Sequence, residues 1–420
     1  MDPPLPMEGV LPPDLEGTLL RIGPGSDGGE SGGGAGGALH AIELREGRAV
    51  VYRSAGSGAD ANVFWHAGSV LGLAESGLPQ AYSRLLEPRE FEGGLSLPIA
   101  SHVHRDATTG GRVLFGVQDG EETTLLRVGE WDAAGALTHS MAVTLERATW
   151  QHDIGVTGRH IVFIESPTER DGALGAAVPF RWAPGAPGWV GVVEREGDGS
   201  AVRWIRLDPC LVTHVLHAYD EGDGEGEGAG SAIVLYVCCY EVPEKGQPVD
   251  HDASVVGPGG IGVSPIGGHL GVLERWRIVG ETLEREQVDE RWVEYPRSDP
   301  WCEGQAFRYG YCVELAPGAE GGEADHLGLL RFDLARDEIE AWDPGRYRTA
   351  SEPLFVRAAD GRGDDEGWLL TVVFDATRAA SDLYVLDASS LRRRPQAVVH
   401  LPAGLPFRAH GEWVGAAAYR

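Results

Sequence analysis

The chain has 420 residues, with 35 Lys or Arg against 64 Asp or Glu, so its formal net charge is −29. Such a charge excludes nucleic-acid binding and strong adhesion to anionic lipid, because both need a basic surface. No run of about 18 apolar residues occurs, so no spanning helix is predicted. Five cysteines without a C-x-x-C pair fit a reducing compartment, and we expect a cytoplasmic protein.

The hydrophobic pattern along the chain is that of many short β-strands. Runs rich in β-branched and aromatic residues, bounded by Gly, Asp or Pro, occupy residues 112–117, 160–164, 232–239, 327–332 and 368–374. No long stretch has a helical period, and strands about ten residues apart predict a sandwich, a barrel or a propeller. Because no Pro- or Ser-rich linker divides the chain, we predict a single domain over residues 1–420, although the length alone also allows two or three.

Two Gly-dense segments, at about residues 23–37 and 220–230, are predicted to be flexible loops, since neither can bury much apolar area. The first segment lacks the G-x-x-x-x-G-K-[ST] pattern and leads into no helix. We therefore do not expect it to bind phosphate.

Four of the 14 histidines stand in distinctive contexts, at His102, His152, His214 and His410. Taken singly, such a histidine is more often a hydrogen-bonded core residue than a ligand. In a seven-bladed propeller of this length, each blade would have roughly 60 residues. The intervals between the four histidines are 50, 62 and 196 residues, close to the length of one, one and three blades. Four imidazoles at comparable places in separate blades would point at one axis and form a metal site.

The blocks around these histidines resemble the carotenoid cleavage oxygenases, a family that includes stilbene-cleaving enzymes and the retinoid isomerase of the visual cycle. Similar blocks run in order from residues 11–25 to 405–413, among them HAGSVLGLAESGLP, SHVHRDATTG, QHDIGVT, THVLHAYDEGD, RWVEYPR, SEPLFV and AHGEW. The resemblance implies an all-β fold: a seven-bladed β-propeller with loops and short helices capping one face over an axial metal site.

The resemblance also implies the site residues. The ligands of one Fe(2+) per chain would be His102, His152, His214 and His410, and the outer carboxylates would be Glu75, Glu294 and Glu352. Imidazole suits several divalent metals, so iron is chosen by the resemblance alone. Outer carboxylates would fix the imidazole tautomers and offset the metal's charge. No separate catalytic acid or base is implied.

Neighbouring residues refine this hypothesis. His217, three residues after His214, would lie on the opposite face of a strand, and His104 would point off the axis, so neither is expected to be a ligand. Ala74 stands where stilbene-cleaving relatives carry a Lys that engages the substrate's phenol. An alanine makes no charge-assisted bond, and this favours an apolar polyene. Aromatic residues beside the motifs, namely Phe64, Trp65, Trp150 and Phe355, are candidates for an apolar tunnel.

The implied reaction is cleavage of a conjugated C=C bond of a carotenoid or apocarotenoid by O2, giving two carbonyl products. A stilbene- or phenylpropanoid-cleaving dioxygenase of the same family is the alternative, and a non-catalytic propeller scaffold is a third reading from another class. The apolar stretch 173–193 is interrupted by proline and arginine, so we expect at most weak peripheral membrane contact.

Overall fold

In a computed structural model, the described residues are 4–24, 37–74, 77–90, 99–119, 123–170, 180–183, 185–222, 231–241, 271–316, 325–402 and 410–419. Within these ranges the regular secondary structure consists of 31 strands, and the all-β prediction is confirmed. The short capping helices that we expected do not occur in the described ranges.

The strands form seven successive antiparallel sheets, the blades of a propeller. A short strand, β1 (Met7–Gly9), precedes the first sheet, which contains β2 (Gly17–Pro24), β3 (Gly37–Arg45) and β4 (Arg48–Gly56). The second sheet contains β5 (Asn62–His66), β6 (Ser69–Leu73), β7 (Gln80–Tyr82) and β8 (Pro88–Arg89). The third contains β9 (Val103–Arg105), β10 (Arg112–Asp119), β11 (Thr124–Trp131) and β12 (Leu137–Leu145).

The fourth sheet is interrupted by a two-stranded hairpin. It contains β13 (Ile154–Val156) and β14 (His160–Glu165), then the hairpin β15 (Thr168–Arg170) and β16 (Phe180–Trp182), then β17 (Gly188–Glu194) and β18 (Arg203–Leu207). The fifth sheet contains β19 (Cys210–Glu221), β20 (Ala232–Glu241), β21 (Val272–Val279) and the first part of β22 (Thr282–Arg297).

The long strand β22 passes from the fifth sheet into the sixth. Its second part pairs with β23 (Tyr309–Ala316), which is followed by β24 (Asp325–Asp333) and β25 (Glu338–Trp342). In the seventh sheet, β26 (Arg348–Ala350) and β27 (Leu354–Arg357) both pair with β28 (Gly367–Asp375), and β29 (Ala380–Asp387) and β30 (Ala397–His400) complete the sheet.

Strands from both ends of the chain close the ring. The last strand, β31 (Gly411–Gly415), pairs with β2 in the first sheet, with Arg21 opposite Gly411 and Gly17 opposite Gly415. At the other end, β1 pairs with β30, with Met7 opposite Val399. Residues remote in sequence are thereby joined, and the seventh sheet becomes a neighbour of the first.

The core lies between neighbouring sheets rather than inside any one of them. Val113 and Phe115 of the third sheet pack with Ile161 and Phe163 of the fourth, and all four are buried. Because each sheet is covered on both faces, the middle strands are almost continuously apolar instead of alternating. Gly191 is required by this packing, since a Cβ atom there would lie 2.1 Å from the Phe163 ring.

Of the two predicted flexible loops, residues 25–36 and 223–230 lie outside the described residues. Their flanks belong to strands: Gly23 and Pro24 end β2, Gly37 begins β3, and β19 extends to Glu221.

Candidate metal centre

The fold brings together the four histidines that the sequence singled out. Three of them lie just before a strand: His102 directly before β9, His410 directly before β31, and His152 two residues before the start of β13. The fourth, His214, lies inside β19. All four are buried. The Nε2 atoms of His102 and His152 are 3.2 Å apart, and those of His214 and His410 are 3.3 Å apart. The rings of His102 and His410 are 4.6 Å apart between centroids.

This spacing fits a metal ion. Ligand atoms of His102, His152 and His214 all lie within 4.8 Å of one another. Two imidazole nitrogens bound at right angles to one metal at about 2.0–2.1 Å would lie about 3 Å apart, close to both measured Nε2–Nε2 separations. The donor set is entirely imidazole, which suits first-row transition metals better than Mg²⁺ or Ca²⁺.

Glu294 fixes the orientation of His214. Its Oε2 atom is 2.5 Å from His214 Nδ1 and accepts the N–H of Tyr295 at 3.0 Å, while Oε1 accepts the hydroxyls of Tyr240 (2.6 Å) and Thr213. Tyr295 has a left-handed φ of 52° and lies within a β-bulge between Glu294 and Arg297. Burial opposes ionisation of Glu294, but His214 and the two hydroxyls outweigh it and lower the pKa to about 2.

Glu352 fixes the orientation of His410 in the same way. Its Oε1 atom is 2.7 Å from His410 Nδ1, and Oε2 accepts the N–H of Gly411 at 3.0 Å. Arg297 and Arg21 donate to the same carboxylate at 2.7 and 3.2 Å. Burial raises the pKa of Glu352, but Arg297, His410 and Arg21 together hold it well below its usual range.

These contacts leave the four imidazoles in different electrostatic environments. Burial lowers the pKa of His102 well below its usual value, and the three other histidines add to this effect. Burial also lowers the pKa of His410 despite Glu352. At His214 the attraction of Glu294 exceeds the burial effect and raises the pKa. A proton on Nδ1, held by a carboxylate, leaves the Nε2 lone pair directed inward as a ligand needs.

The structure also shows site residues that sequence reasoning missed. Asp153 is buried directly after His152, and its Oδ2 atom lies 3.9 Å from His102 Nδ1. His104 contacts Asp153 Oδ1 through Nε2 (2.9 Å) and Glu303 through Nδ1. Burial lowers the pKa of His104, but Glu303 and Asp153 outweigh it and raise the pKa to about 10. Both ring nitrogens of His104 are therefore occupied away from the axis.

Three other positions were singled out in the sequence: Glu75, His217 and Ala74. Glu75 lies outside the described residues. His217 is hydrogen-bonded to Ser298 Oγ at 2.9 Å and to the carbonyl of Gln305 at 2.7 Å, so neither ring nitrogen is available to the cluster. Ala74 is half-buried and directly follows β6.

Two cavities share part of their lining, and the smaller one reaches the histidines. The smaller, of about 80 Å³, is bounded by His102, His214, His410, Asp153 and Glu352. The larger, of about 630 Å³, is lined in part by Arg105, Arg112 and Glu412. Asn62, Val103, Arg297 and Glu303 line both cavities. These charged side chains make part of the larger cavity's wall polar.

The four candidate tunnel aromatics do not share one surface. Trp150 packs on His152 with ring centroids 4.5 Å apart. Phe64, Trp65 and Phe355 line the larger cavity instead. Trp150 is thus the member of this group that the structure places against a site histidine.

The fold and site define a class of protein: a propeller with buried histidines converging on its axis. A sequence model of the family described as "Retinal pigment epithelial membrane protein" matches residues 40–415. The chain therefore belongs to this family, the carotenoid cleavage oxygenases that its sequence blocks resemble. It is an enzyme of the carotenoid-cleavage dioxygenase type.

Individual relatives support this assignment. The chain is 28% identical over 377 residues to isoeugenol monooxygenase of Pseudomonas putida, covering 84% of this chain and 74% of that protein. It is 26% identical over a 494-residue alignment to a carotenoid cleavage oxygenase of Mycobacterium tuberculosis, covering 97% and 93%. A crystal structure of a cobalt-substituted apocarotenoid oxygenase of Synechocystis matches with a TM-score of 0.82 at 22% identity, covering 98% of this chain and 95% of that one. This likeness shows the propeller fold.

No helix among the described residues is long and apolar enough to cross a membrane.

Proposed function

We propose that this chain is an Fe(II)-dependent dioxygenase that cleaves a conjugated C=C bond of a carotenoid or apocarotenoid. One O2 and one alkene give two carbonyl products, with one oxygen atom delivered to each former alkene carbon. The observation that carries the proposal is the convergence of four buried imidazoles, with Nε2–Nε2 separations of 3.2 and 3.3 Å.

The proposed ligands are His102, His152, His214 and His410, which hold one Fe(2+) per chain. When bound, the iron supplies a place where dioxygen is activated beside the alkene. The chain's own residues orient the ligands: Glu294 and Glu352 hold the Nδ1 protons of His214 and His410. We assign Glu75 the same kind of role.

The surroundings support a reaction without a protein acid or base. Glu294 and Glu352 are fully engaged with the histidines and their other donors, and low pKa values keep them ionised. Trp150 supplies an apolar surface beside His152. An apolar polyene needs shape and exclusion of water rather than ionic recognition.

A phenylpropanoid or stilbene is the second candidate substrate class. It is favoured by the similarity to an enzyme named isoeugenol monooxygenase. Ala74 speaks against a stilbene phenol held by a charged side chain, because its methyl group makes no hydrogen bond. The two classes differ in length, so a comparison of substrates separates them.

The first experiment measures metal content after anaerobic purification in the wild type, His152→Ala and His217→Ala. We expect about one iron per chain in the wild type, loss of iron in His152→Ala, and retention in His217→Ala, because the His217 nitrogens bond elsewhere. A wild type that holds no iron even after Fe(II) loading would contradict the proposal.

The second experiment measures oxygen uptake and product masses with an apocarotenoid, isoeugenol and a hydroxystilbene. Two carbonyl fragments from the polyene support the leading proposal. Cleavage restricted to the aromatic alkenes assigns the chain to the second class.

We also propose that residues 1–420 form one domain, supported by the pairing of β31 with β2 and of β1 with β30. The five cysteines without a C-x-x-C pair support a reducing, cytoplasmic location. The charge of −29 supports at most weak peripheral contact with membranes. Sedimentation with neutral and anionic vesicles tests this contact, and strong binding to anionic vesicles would contradict it.

A further inference from the structure

Asp153 connects segments that carry three of the four histidines. It is buried, and its carboxylate makes three short contacts. Oδ1 accepts the N–H of Ile154 at 2.8 Å and contacts His104 Nε2 at 2.9 Å, while Oδ2 accepts the N–H of Val215 at 2.8 Å. Each partner lies within two residues of a site histidine: Ile154 follows His152, Val215 follows His214, and His104 follows His102.

These three histidines belong to three different sheets. His102 precedes β9 of the third sheet, His152 precedes β13 of the fourth, and His214 lies in β19 of the fifth. Glu294 and Glu352 each contact one imidazole ring. The Asp153 carboxylate instead contacts a side chain of the third sheet and a backbone N–H of the fifth. The same carboxylate lies 3.9 Å from His102 Nδ1, which is too long for a hydrogen bond but close enough for charge attraction.

We propose that Asp153 is a positioning residue of the metal centre: it sets the mutual spacing of His102, His152 and His214 and places a negative charge beside His102. The neighbouring His104 donates to Asp153 and is itself held by Glu303, so the carboxylate has a fixed rotation. The inference rests on the four-histidine metal site proposed above.

The chemistry predicts a specific sensitivity to the amide. Both Asp153 oxygens accept from N–H groups, and an Asn side chain replaces one acceptor with an NH2 donor. That donor would face either the Val215 N–H or the His104 and Ile154 N–H groups, so one link between sheets would be lost. Partners outside the ligand set typically change metal affinity by about 10–100-fold when removed.

Asp220 offers a matched control in the same strand as His214. It contacts His160 Nδ1 at 2.8 Å and accepts the Arg159 N–H at 3.1 Å, so it also joins a histidine and a backbone amide. It lies six residues along β19 from His214, about 20 Å away at strand spacing. Loss of these two contacts would perturb the propeller at a distance from the histidine cluster.

The test titrates Co(II) into the metal-free wild type, Asp153→Asn and Asp220→Asn, and records affinity and the visible ligand-field spectrum. We expect Asp153→Asn to bind Co(II) about 10–100-fold more weakly and with altered bands, and Asp220→Asn to match the wild type in both. Wild-type affinity and bands in Asp153→Asn would overturn the inference, as would equal losses in the two variants.

Should Asp153→Asn fail to fold, His104→Gln decides, because it keeps the Asp153 carboxylate but disturbs its rotation. Altered bands in His104→Gln support the inference, and unchanged affinity and bands overturn it. A wild type that binds no Co(II) rejects the proposed metal site itself, which distinguishes the two failures.

Discussion

Replacement of Glu294 by Gln should lower the metal affinity of the protein, beyond the loss of folding stability that removal of a buried carboxylate causes. The carboxylate accepts two donors on each oxygen: Tyr295 N–H and His214 Nδ1 on Oε2, and Tyr240 and Thr213 hydroxyls on Oε1. A glutamine amide has only one acceptor oxygen, so its NH2 group must face two groups that now donate.

The magnitude follows from which side the NH2 group takes. Hydroxyls can rotate and become acceptors, so the NH2 group should turn toward Tyr240 and Thr213, leaving the amide oxygen on His214. His214 then keeps its Nδ1 proton but loses a full negative partner. We expect metal affinity to fall by about 10–100-fold, which corresponds to about 1.4–2.7 kcal/mol. If the NH2 group instead faced His214, the proton would move to Nε2 and block the inward lone pair, a larger loss.

The assay compares Co(II) or Fe(II) affinity with the free energy of unfolding of the metal-free protein. Glu274→Gln is the matched control, because Glu274 is also buried and accepts hydrogen bonds from Trp276 (2.6 Å) and Arg285 (2.8 Å) away from the histidines. Both variants should lose stability, and the metal affinity should fall in Glu294→Gln alone. Unchanged affinity in Glu294→Gln would refute the reasoning.

Three further predictions concern pH, packing and thiols. The pKa of Glu294 is lowered from 4.5 to about 2, so its contribution to stability is complete above pH 4.5 and is lost as the pH falls toward 2. Acid unfolding of the metal-free protein checks this, and the stability of a Glu294→Gln variant should depend less on pH between 4.5 and 2. Gly191→Ala should destabilise by about 1–3 kcal/mol because its Cβ would meet the Phe163 ring, whereas Gly56→Ala, with open space around its Cβ, should change little; urea unfolding measures both. Among the five free cysteines, half-buried Cys302 should react first with a thiol reagent in the native protein, and modification of a second cysteine at the same rate would contradict the described burial.

The sequence predicted the parts of the site that repeat with the blades. The near-regular intervals between His102, His152 and His214 reflect one entry per sheet into the axial region, and the structure does bring these residues together. The interval of 196 residues also placed His410 in this set, the family resemblance added the glutamates, and Glu294 and Glu352 do contact histidines. The histidines could be predicted from the sequence because their intervals are close to multiples of the length of one sheet.

The missed residues depend on contacts between units. Glu303 lies in the segment between β22 and β23 and contacts His104, 199 positions earlier in the chain. No local sequence pattern predicts a contact between residues so far apart. Simple strand alternation was also an insufficient guide to His217. The pairing of β19 with β20 shifts between Val212 and Val215 and again before His217, so the two-residue period is broken there. His217 is directed away from the cluster by its own hydrogen bonds instead.

Closure of the ring by β31 has a consequence for how the proposed metal site would be loaded. His410 immediately precedes β31, so the same short segment completes both the first sheet and the histidine set. During synthesis the other three histidines emerge long before this segment, and the contact between His410 and His214 spans 196 positions. Loading of all four histidines must therefore follow synthesis of the segment that carries His410, and an ion held across these residues would link that segment to β19. Loss of the ion and fraying of the last strand should then be one coupled event.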